Sequence, residues 1–474
     1  MSADPNTKPE LIPAVNEYAP KEVGELDLYQ KREKIYTRSI EGFFQRIRLF
    51  TGWPLLAGFF LLPWTRWHGH QTVLFDLPAR KFYIFDLVFW PQDLVMLAWL
   101  LIICAFGLFL FTSLFGRIWC GYSCPQTVWT SIFMWMEQKA EGSRNQRIKL
   151  DQAPWSTAKV LRKTLKHGMW FGFAFLTGFT FVGYFTPIID LTFDFFSGNA
   201  AGPAYVWIGI FTALTYLNAG WMREQVCLYM CPYARFQSAM FDRDTLIVTY
   251  DRKRGEPRGS RRVNNGEKPE GLGDCIDCQL CVQVCPTGID IRNGLQYECI
   301  NCALCVDACN SVMKKIGYAP DLICYSTENR MEGKPTRILR FRTIGYGAVM
   351  LVMCSMLLAA LVFRETTDLK VLRERSSLYQ LKDGHIENIY TLKLGNRDNS
   401  SRVYTLNTDL PGSQWDGPTT ITVESGEVAS IPVRLSVPEI EWGGRNIEMH
   451  FSACLVDETT HCVHHESRFT GPVR

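Results

Sequence analysis

Uncharged apolar stretches of about 20 residues are the feature that most constrains the fold of this 474-residue chain. Three of them, at positions 94–116, 167–189 and 343–363, lie between charged residues, and a fourth, at 203–222, ends at Arg223. A fifth, less uniform stretch covers 43–64 and contains Pro54 and Pro63. A helix of ~20 apolar residues crosses the hydrocarbon core of a bilayer. The sequence therefore predicts an α-helical membrane protein with about five transmembrane helices, the alternative for the first stretch being a buried or re-entrant helix.

Basic residues are distributed unevenly between the segments that join these stretches. Positions 31–48 contain six Lys or Arg residues and positions 139–166 contain eight, whereas positions 190–202 contain none. Since basic loops stay in the cytoplasm, the distribution predicts a cytoplasmic N-terminus, cytoplasmic segments at 117–166 and 223–342, and a periplasmic C-terminus. It places the chain in the bacterial cytoplasmic (inner) membrane as a multi-pass protein.

Eight cysteines in the 223–342 segment follow the bacterial spacing for two 4Fe-4S clusters. In that pattern three close cysteines hold one cluster, and the fourth cysteine of the run ligates the other cluster. Zinc knuckles use longer gaps between pairs, and a disulfide framework does not suit a cytosolic loop. The predicted ligands are Cys275, Cys278, Cys281 and Cys309 for the first cluster, and Cys285, Cys299, Cys302 and Cys305 for the second. Pro286 follows the first run, and Asn310 stands where a second proline would be expected.

A C-x-Y-x-C-P motif occurs twice, once after each of two apolar stretches. The first copy contains Cys120 and Cys124, and the second contains Cys227 and Cys231. The repeat predicts two helical hairpins that bring two cysteine pairs to the same membrane face, with both sulfurs of a pair on one helical face. Thiolates prefer Cu(I), zinc or iron–sulfur centres. The four cysteines could bind one soft metal ion or a further cluster, cycle between dithiol and disulfide, or simply pack helix ends.

Residues 364–474 have the composition of a β domain. About seven β-rich runs lie at 371–381, 386–394, 402–406, 419–423, 430–435, 446–455 and 462–470. Short strands in this number predict an immunoglobulin-like sandwich. Cys454 and Cys462 are expected to face each other across a hairpin, where a periplasmic disulfide can form. Neighbouring His461, His464 and His465 are interpreted as surface residues, and the role of Cys324 stays open.

The predicted organisation has five parts. They are a cytoplasmic N-terminal segment (1–42), a four-helix membrane domain with both motifs (43–242), an inserted cytoplasmic ferredoxin domain with two 4Fe-4S clusters (243–342), a fifth transmembrane helix (343–363) and a periplasmic immunoglobulin-like domain (364–474). The net charge of +3 gives no reason to expect a nucleic-acid partner. No flavin or nucleotide fingerprint is present, which argues against a self-contained NAD(P)H reductase.

Together, the paired motifs, the eight cluster cysteines and the fifth span leading to a β domain resemble one family: the cytochrome c oxidase accessory proteins called CcoG, FixG or RdxA. The resemblance covers nearly the whole chain. It implies a role in assembling the C-type haem–copper oxidase, through reduction of Cu(II) to Cu(I) for copper delivery. It also implies that Cys120, Cys124, Cys227 and Cys231 are the copper-contacting set, with copper as substrate rather than resident cofactor.

The partners implied by the resemblance are oxidase assembly factors and copper transporters or chaperones, besides membrane lipid. The sequence does not identify the electron donor, and it is compatible with a homo-oligomer. Two other functions remain open at this stage. One is a membrane polyferredoxin that exchanges electrons with the quinone pool, and the other is a non-enzymatic assembly scaffold whose clusters serve structure only.

Overall fold

The structure, a computed structural model, describes residues 34–472 except positions 68, 86, 239, 261–270, 364–365, 375–377, 383, 399, 440–445 and 457–461. Most of the predicted N-terminal segment, His68, His461 and the turn between Cys454 and Cys462 therefore lie outside the described residues.

Helices form most of the described chain as far as residue 362. They are α1 Phe43–Leu61, α2 Leu94–Phe115, α3 Ile118–Tyr122, α4 Pro125–Glu141, α5 Arg144–Gln152, α6 Thr157–Val182, α7 Ile188–Ser197, α8 Gly202–Thr215, α9 Pro232–Ser238, α10 Arg252–Gly255, α11 Leu280–Gln283, α12 Leu304–Ile316, α13 Glu328–Met331 and α14 Phe341–Val362. Short 3-10 turns cover Leu62–Trp64, Pro91–Asp93 and Ile291–Asn293, and π-helical segments cover Tyr216–Met222 and Val226–Met230.

Three helices among the described residues are long and apolar enough to cross a membrane: Phe43–Trp64, Leu94–Phe115 and Phe341–Val362. They coincide with three of the five predicted spans. The last two pack on each other, with the rings of Phe106 and Tyr346 6.5 Å apart. On the faces that point away from this contact, apolar side chains are not covered by other described residues. Leu101, for example, is 61% exposed, as expected for a surface that faces lipid.

The other two predicted spans have a different form from the one expected. The stretch 167–189 is not one helix, because α6 ends at Val182 and α7 begins only at Ile188, after Pro187. Helix α7 and the following helix Gly202–Met222 meet at 97°, so that together they count as at most one broken span. Within the described part of the chain there are therefore three candidate spans, or four with this bent pair, and the five-span topology stays a prediction.

A small β structure joins α1 to α2 and was not predicted. Its strands are β1 Arg66–Trp67, β2 His70–Gln71, β3 Val73–Asp76, β4 Lys81–Ile84 and β5 Leu87–Phe89. The last three form an antiparallel sheet in the order β3-β4-β5. Aromatic and β-branched residues dominate this segment, and that composition favours strands.

The ferredoxin region is closed by a two-stranded antiparallel sheet. Strand β6 Ile247–Tyr250 pairs with β7 Ile323–Ser326, and helix α12 packs against β7. Cys324 lies in β7 opposite Thr249. The sheet joins the two ends of the cysteine-rich segment, so that the segment forms one compact unit.

Two antiparallel sheets pack face to face in the C-terminal region. Their strands are β8 Thr367–Arg373, β9 Gln380–Lys382, β10 His385–Asn396, β11 Arg402–Thr408, β12 Gln414–Asp416, β13 Thr420–Val423, β14 Val428–Pro438, β15 Ile447–Leu455 and β16 Cys462–Phe469. One sheet has the order β12-β14-β10-β8 with β9 beside β10, and the other has the order β13-β11-β15-β16.

The core of this sandwich is made by alternate residues of the long strands. Tyr390, Leu392 and Phe451 are at most 1% exposed, and the rings of Tyr390 and Phe451 lie 5.0 Å apart. The predicted disulfide between Cys454 and Cys462 is present, directly opposite across β15 and β16. The predicted first strand, 371–381, is wrong as a single strand, since β8 ends at Arg373 and β9 begins at Gln380.

Candidate metal and electron-transfer site

The eight cysteines of the ferredoxin region line two small apolar cavities. One cavity is surrounded by the first predicted ligand set and by apolar side chains of β7 and α12; the ligands are Cys275, Cys278, Cys281 and Cys309. The second set, Cys285, Cys299, Cys302 and Cys305, surrounds the other. The fourth cysteine of each run thus lies with the three cysteines of the opposite run, which is the exchange that the two-cluster spacing predicts.

The two cysteine loops have the same backbone conformation at equivalent positions. Asp277 and Gln279, on either side of Cys278, have φ of 51° and 56°. Asn301 and Ala303, on either side of Cys302, have φ of 56° each. The left-handed backbone conformation costs free energy in residues other than glycine. When residues in this conformation alternate with others, successive backbone N–H groups point into one concavity, which suits an anion. Binding of an anionic group with sulfur ligands would compensate for that free energy.

The donor set of each cavity is that of a 4Fe-4S cluster, because its four predicted ligands are cysteines and most of its other walls are apolar. Among the described residues, no three His, Cys, Asp or Glu side chains are arranged to hold one metal ion. A cubane spreads its four thiolates around four irons, and it therefore needs a wider cage. Burial raises the pKa of the Cys281 and Cys309 thiols to about 12, so bound iron is needed to keep them as thiolates. Clusters held there would supply one-electron transfer.

The replacement of the second expected proline by Asn310 has a local explanation. Its side-chain amide donates to Asp321 Oδ1 at 3.0 Å and its amide oxygen accepts the backbone N–H of Asp321 at 2.8 Å. Asp321 has a positive φ of 63°. Asn310 therefore fixes the turn that leads into β7, immediately after the ligand Cys309.

The motif cysteines do not lie on one helical face, which corrects the expectation from their spacing. Cys120 lies in the short helix α3, whereas Cys124 is the N-cap of α4, with Pro125 at its first position. Cys227 lies in a π-helical segment that Cys231 terminates. Each pair therefore spans a break between two helical segments. Proline favours such a break because it suits the first turn of a helix.

The structure nevertheless brings the two copies together by an exchange of contacts. The side-chain amide of Gln126, after the first motif, donates to the carbonyl O of Asn218 at 2.9 Å. Tyr233, at the matching position after the second motif, hydrogen-bonds Thr112 in α2 at 2.7 Å. Each copy is thus anchored on the helix that precedes the other copy. Cys120 lies close enough to the other three motif cysteines to interact with each electrostatically.

The first motif rests directly on the loop that carries the second cysteine set. A Cβ added to Gly121 would lie 2.8 Å from the carbonyl O of Ile300 and 2.9 Å from Cys302 Cα. Cys120 also packs beside Ile300 and Cys302 in one apolar cluster. The backbone of the first motif and the loop that carries the second cysteine set are therefore in direct contact.

Arg117 holds this junction from inside. Its side chain is 4% exposed, and it donates to Gln237 Oε1 and the carbonyl O of Ala234 in α9 at 2.7 and 2.6 Å. Its Nη1 group donates to the carbonyl oxygens of Tyr297 and Cys299. One planar guanidinium thereby links both motif copies to the ferredoxin loop through four hydrogen bonds, which the several N–H donors of arginine make possible.

Asp307 forms a second attachment between the ferredoxin region and a membrane helix. It lies in α12 between Cys305 and Cys309, and its carboxylate accepts the backbone N–H groups of Phe44 and Gln45 at 3.2 and 2.8 Å. These are two of the unpaired N–H groups at the start of α1. Sequence reasoning did not identify Arg117, Gly121 or Asp307, because each acts on a segment far away in the chain.

Family models match three parts of the chain. A 4Fe-4S dicluster domain matches residues 222–328, and an immunoglobulin-like fold at the C-terminus of FixG matches residues 357–472. A further 4Fe-4S binding domain matches residues 97–141, which contain the first C-x-Y-x-C-P motif. The iron–sulfur and immunoglobulin-like assignments made from the sequence are confirmed at this level.

Several relatives are similar over most of the chain. The nitrogen fixation protein FixG of Rhizobium meliloti is 38% identical, with 92% of each chain covered. Protein RdxB of Cereibacter sphaeroides is 38% identical (94% of this chain, 97% of the relative), and its protein RdxA is 41% identical (81% and 83%). A crystal structure of a FixG-related protein from Vibrio parahaemolyticus is 29% identical over 22% of this chain and 95% of that one, with a TM-score of 0.21. The chain therefore belongs to the FixG/RdxA family of iron–sulfur electron-transfer proteins.

Proposed function

We propose that this protein reduces Cu(II) to Cu(I) at Cys120, Cys124, Cys227 and Cys231, with electrons supplied through the ferredoxin region. The observation that carries the proposal is the contact of Gly121 with the Ile300–Cys302 backbone. It puts a group of four thiols against a cage suited to a one-electron carrier. The product would serve assembly of a C-type haem–copper oxidase.

The thiols suit copper as a substrate that enters and leaves. Soft sulfur ligands favour Cu(I) over Cu(II), so transfer of one electron to each copper ion is thermodynamically assisted at this site. The Cu(I) formed there would be delivered to a further protein, such as an oxidase assembly factor or a copper chaperone.

The proposed orientation follows the basic residues and agrees with the redox chemistry of the two ends. The ferredoxin region would lie in the reducing cytoplasm, and the domain with the Cys454–Cys462 disulfide would lie in the periplasm, where disulfides persist. The motif cysteines then lie at the cytoplasmic face of the inner membrane. Reduced copper would be handed over from that face.

The test uses purified protein that has been reduced with dithionite and freed of excess reductant. Added Cu(II) should be converted to Cu(I), detected with a Cu(I)-specific chelator. The double variants Cys120→Ser/Cys124→Ser and Cys227→Ser/Cys231→Ser should each lose at least about 90% of the rate. Groups that act as one unit are non-additive, so the quadruple variant should be no worse than either.

The matched control replaces Cys104 and Cys354, two exposed cysteines within the predicted spans α2 and α14. Their double Ser variant should reduce copper at the wild-type rate. A quadruple motif variant that also keeps the wild-type rate would show that the motif cysteines do not handle copper. The quinone-linked polyferredoxin would then be the better interpretation.

The 4Fe-4S family model that covers the first motif offers an alternative role for the same cysteines, ligation of a third cluster. Two cubanes require about eight irons per chain, whereas a third cluster at the motif cysteines would require about twelve. We expect about eight in anaerobically purified protein, and Cys281→Ser or Cys305→Ser should lower the number while the chain remains in the membrane. A count near twelve that falls to eight in the quadruple motif variant would assign these cysteines to a cluster.

A further inference from the structure

A cavity of about 590 Å³ lies between α1 and α4, beside the first C-x-Y-x-C-P motif. This volume is typical of small-molecule sites, which range from ~300 to ~1,000 Å³. Helix α1 is one of the candidate membrane spans. An occupant would therefore enter from the lipid phase.

The walls of the cavity are mainly aromatic and aliphatic. Trp53, Leu56 and Phe60 contribute from α1, and Trp135 and Phe173 contribute from the opposite side. Trp53 is 66% exposed, which leaves the lipid side open. Such walls suit a flat ring with a hydrocarbon tail.

The inner end of the cavity carries polar groups. Arg48 donates from Nε to the carbonyl O of Gly121 at 3.0 Å, which uses one of the five N–H donors of its guanidinium. The hydroxyl groups of Thr127 and Ser131 also line the cavity, and they donate at 2.6 Å to the carbonyl oxygens of Cys120 and Val128, respectively. The guanidinium of Arg48 can therefore donate to one oxygen of a quinone ring, and the two hydroxyl oxygens can accept from the O–H of a quinol.

This polar end lies against the electron-transfer site. Its floor is formed by Gly121 and Tyr122, and Gly121 rests on the Ile300–Cys302 backbone. Tyr122 also pairs with Tyr325 at 3.2 Å between hydroxyl oxygens, and Tyr325 donates to the carbonyl O of Asn301 at 2.5 Å. An occupant would be one residue layer from the second cysteine cage, a position that favours a redox-active molecule over a structural lipid.

The same end continues toward the cytoplasmic side. A smaller cavity of about 150 Å³ shares Gln45, Arg48, Ser131 and Trp135 with the first. Its other walls include Arg147 and Gln138. Protons released at the ring therefore have a polar route away from the lipid.

We propose that the α1–α4 cavity binds the ring of a membrane quinol, which is the electron donor of the copper reduction. The inference rests on the proposed function. One quinol loses two electrons and two protons and becomes a quinone, two Cu(II) ions become two Cu(I) ions, and the protons leave through the smaller cavity.

The test compares two substitutions of the same kind on α1 in full-length protein in lipid nanodiscs. Gly52→Phe fills the cavity, because a Cβ at Gly52 meets only Val128, at 3.6 Å. Gly58→Phe is the control, because a Cβ there has nothing within 4 Å. Binding of decylubiquinone is followed by quenching of tryptophan fluorescence. Gly52→Phe should weaken it at least about tenfold, and Gly58→Phe should leave it unchanged.

A second readout separates this proposal from the copper chemistry. With decylubiquinol as the only reductant, the wild type and Gly58→Phe should form about two Cu(I) per quinol consumed, and Gly52→Phe should form almost none. With dithionite all three should reduce copper alike. If Gly52→Phe loses iron, Ser131→Leu takes its place in the test, because it narrows the cavity from α4. It should likewise weaken decylubiquinone binding and prevent formation of Cu(I) from decylubiquinol.

Equal decylubiquinone binding by Gly52→Phe, Ser131→Leu and Gly58→Phe would overturn the proposal and leave the cavity to lipid. Copper reduction with dithionite would be unaffected by that outcome. Conversely, loss of the copper activity of the motif cysteines would not abolish quinone binding. The two hypotheses therefore fail separately.

Discussion

Gly121 is the residue on which contact between the first C-x-Y-x-C-P motif and the ferredoxin region depends. A methyl group there would meet backbone atoms of Ile300 and Cys302 within 3.0 Å, and backbone cannot move aside as a flexible side chain can. Overpacking of this kind costs about 1–3 kcal/mol. We expect Gly121→Ala to lower the thermal midpoint of the detergent-solubilised protein and to slow copper reduction.

The control for this prediction is Gly58→Ala on α1, where the added methyl group has open space. Alanine is a better helix former than glycine by up to ~1 kcal/mol, so this variant should be as stable as the wild type or slightly more stable. Equal midpoints for the two alanine variants would mean that the motif and the ferredoxin loop are not in contact.

At the residue scale, the sequence identified functional residues wherever the chemistry of a site requires a fixed number of residues between them. The two cysteine sets and the Cys454–Cys462 pair could be identified because clusters and hairpin disulfides require particular intervals. Arg117 could be interpreted only as the charged end of an apolar stretch. Its partners in α9 and at Tyr297 are more than 100 residues away, and no local pattern specifies such a contact.

Helix α4 is held in place by a buried carboxylate. Glu137 is fully buried and lies 2.7 Å from Arg223 and 3.2 Å from Arg147, with Lys34 at 3.6 Å. Arg223 follows the π-helical segment Tyr216–Met222, Arg147 lies in α5 and Lys34 lies in the N-terminal segment. One side chain therefore connects three separate parts of the chain to the helix that follows the first motif.

Replacing Glu137 with Gln should destabilise the protein by about 3–5 kcal/mol, because it leaves buried cations without a counter-charge. The comparison is Asp416→Asn, since Asp416 is 75% exposed and lies 3.7 Å from Arg434. Exposed pairs contribute at most about 1 kcal/mol. Thermal unfolding in detergent measures both variants, and similar losses would show that the Glu137 network is solvated.

Attachment of the N-terminal segment to α5 should depend on pH through Asp151. Burial acts to raise the pKa of Asp151, but hydrogen bonds from Lys163, Lys34 and Tyr36 outweigh it and hold the pKa well below its usual range. A lowered pKa gives stabilisation that is complete above the ordinary value of ~3.9 and is lost as pH falls below it.

Limited proteolysis tests this attachment. Cleavage near Lys34 should be slow from pH 5 to 8 and faster below about pH 4, whereas Asp151→Asn should be cleaved quickly throughout. Cleavage of the wild type that does not change between pH 3 and 7 would contradict the prediction.

At the element scale, sequence analysis succeeded for uniform helices and failed where helices break. Helix α2 is uncharged throughout and α14 is uncharged after Arg342, so hydropathy gives their bounds within two residues. The stretch 167–189 is equally apolar, but the chain turns between Val182 and Ile188, and hydropathy does not register a turn inside an apolar run. The missed sheet of β3 to β5 has the opposite cause, because strands of three or four residues are too short for a reliable period.

At the scale of the whole molecule, the ferredoxin region connects the membrane helices to one another. Asp307 caps α1, Arg117 joins the region to the end of α2 and to α9, and Gly121 seats the first motif on its second cysteine loop. The sequence could predict this region as an inserted domain. That its second cysteine loop supports the first motif, and that Arg117 ties it to α9 after the second motif, depends on contacts between segments far apart in the chain. Only the structure reveals these contacts.

The arrangement across the membrane leads to the last prediction. A reporter that is active only in the cytoplasm, fused after Glu267, should be active, and the same reporter fused after Gly471 should be inactive. Helix α14 is the one candidate span between the two positions among the described residues, and a single crossing must separate the two fusion points. A reporter active only in the periplasm should give the reverse pattern. Equal signals at both positions would require α14 to lie outside the bilayer, and the disulfide-bonded domain would then share the cytoplasm with the clusters, where disulfides do not persist.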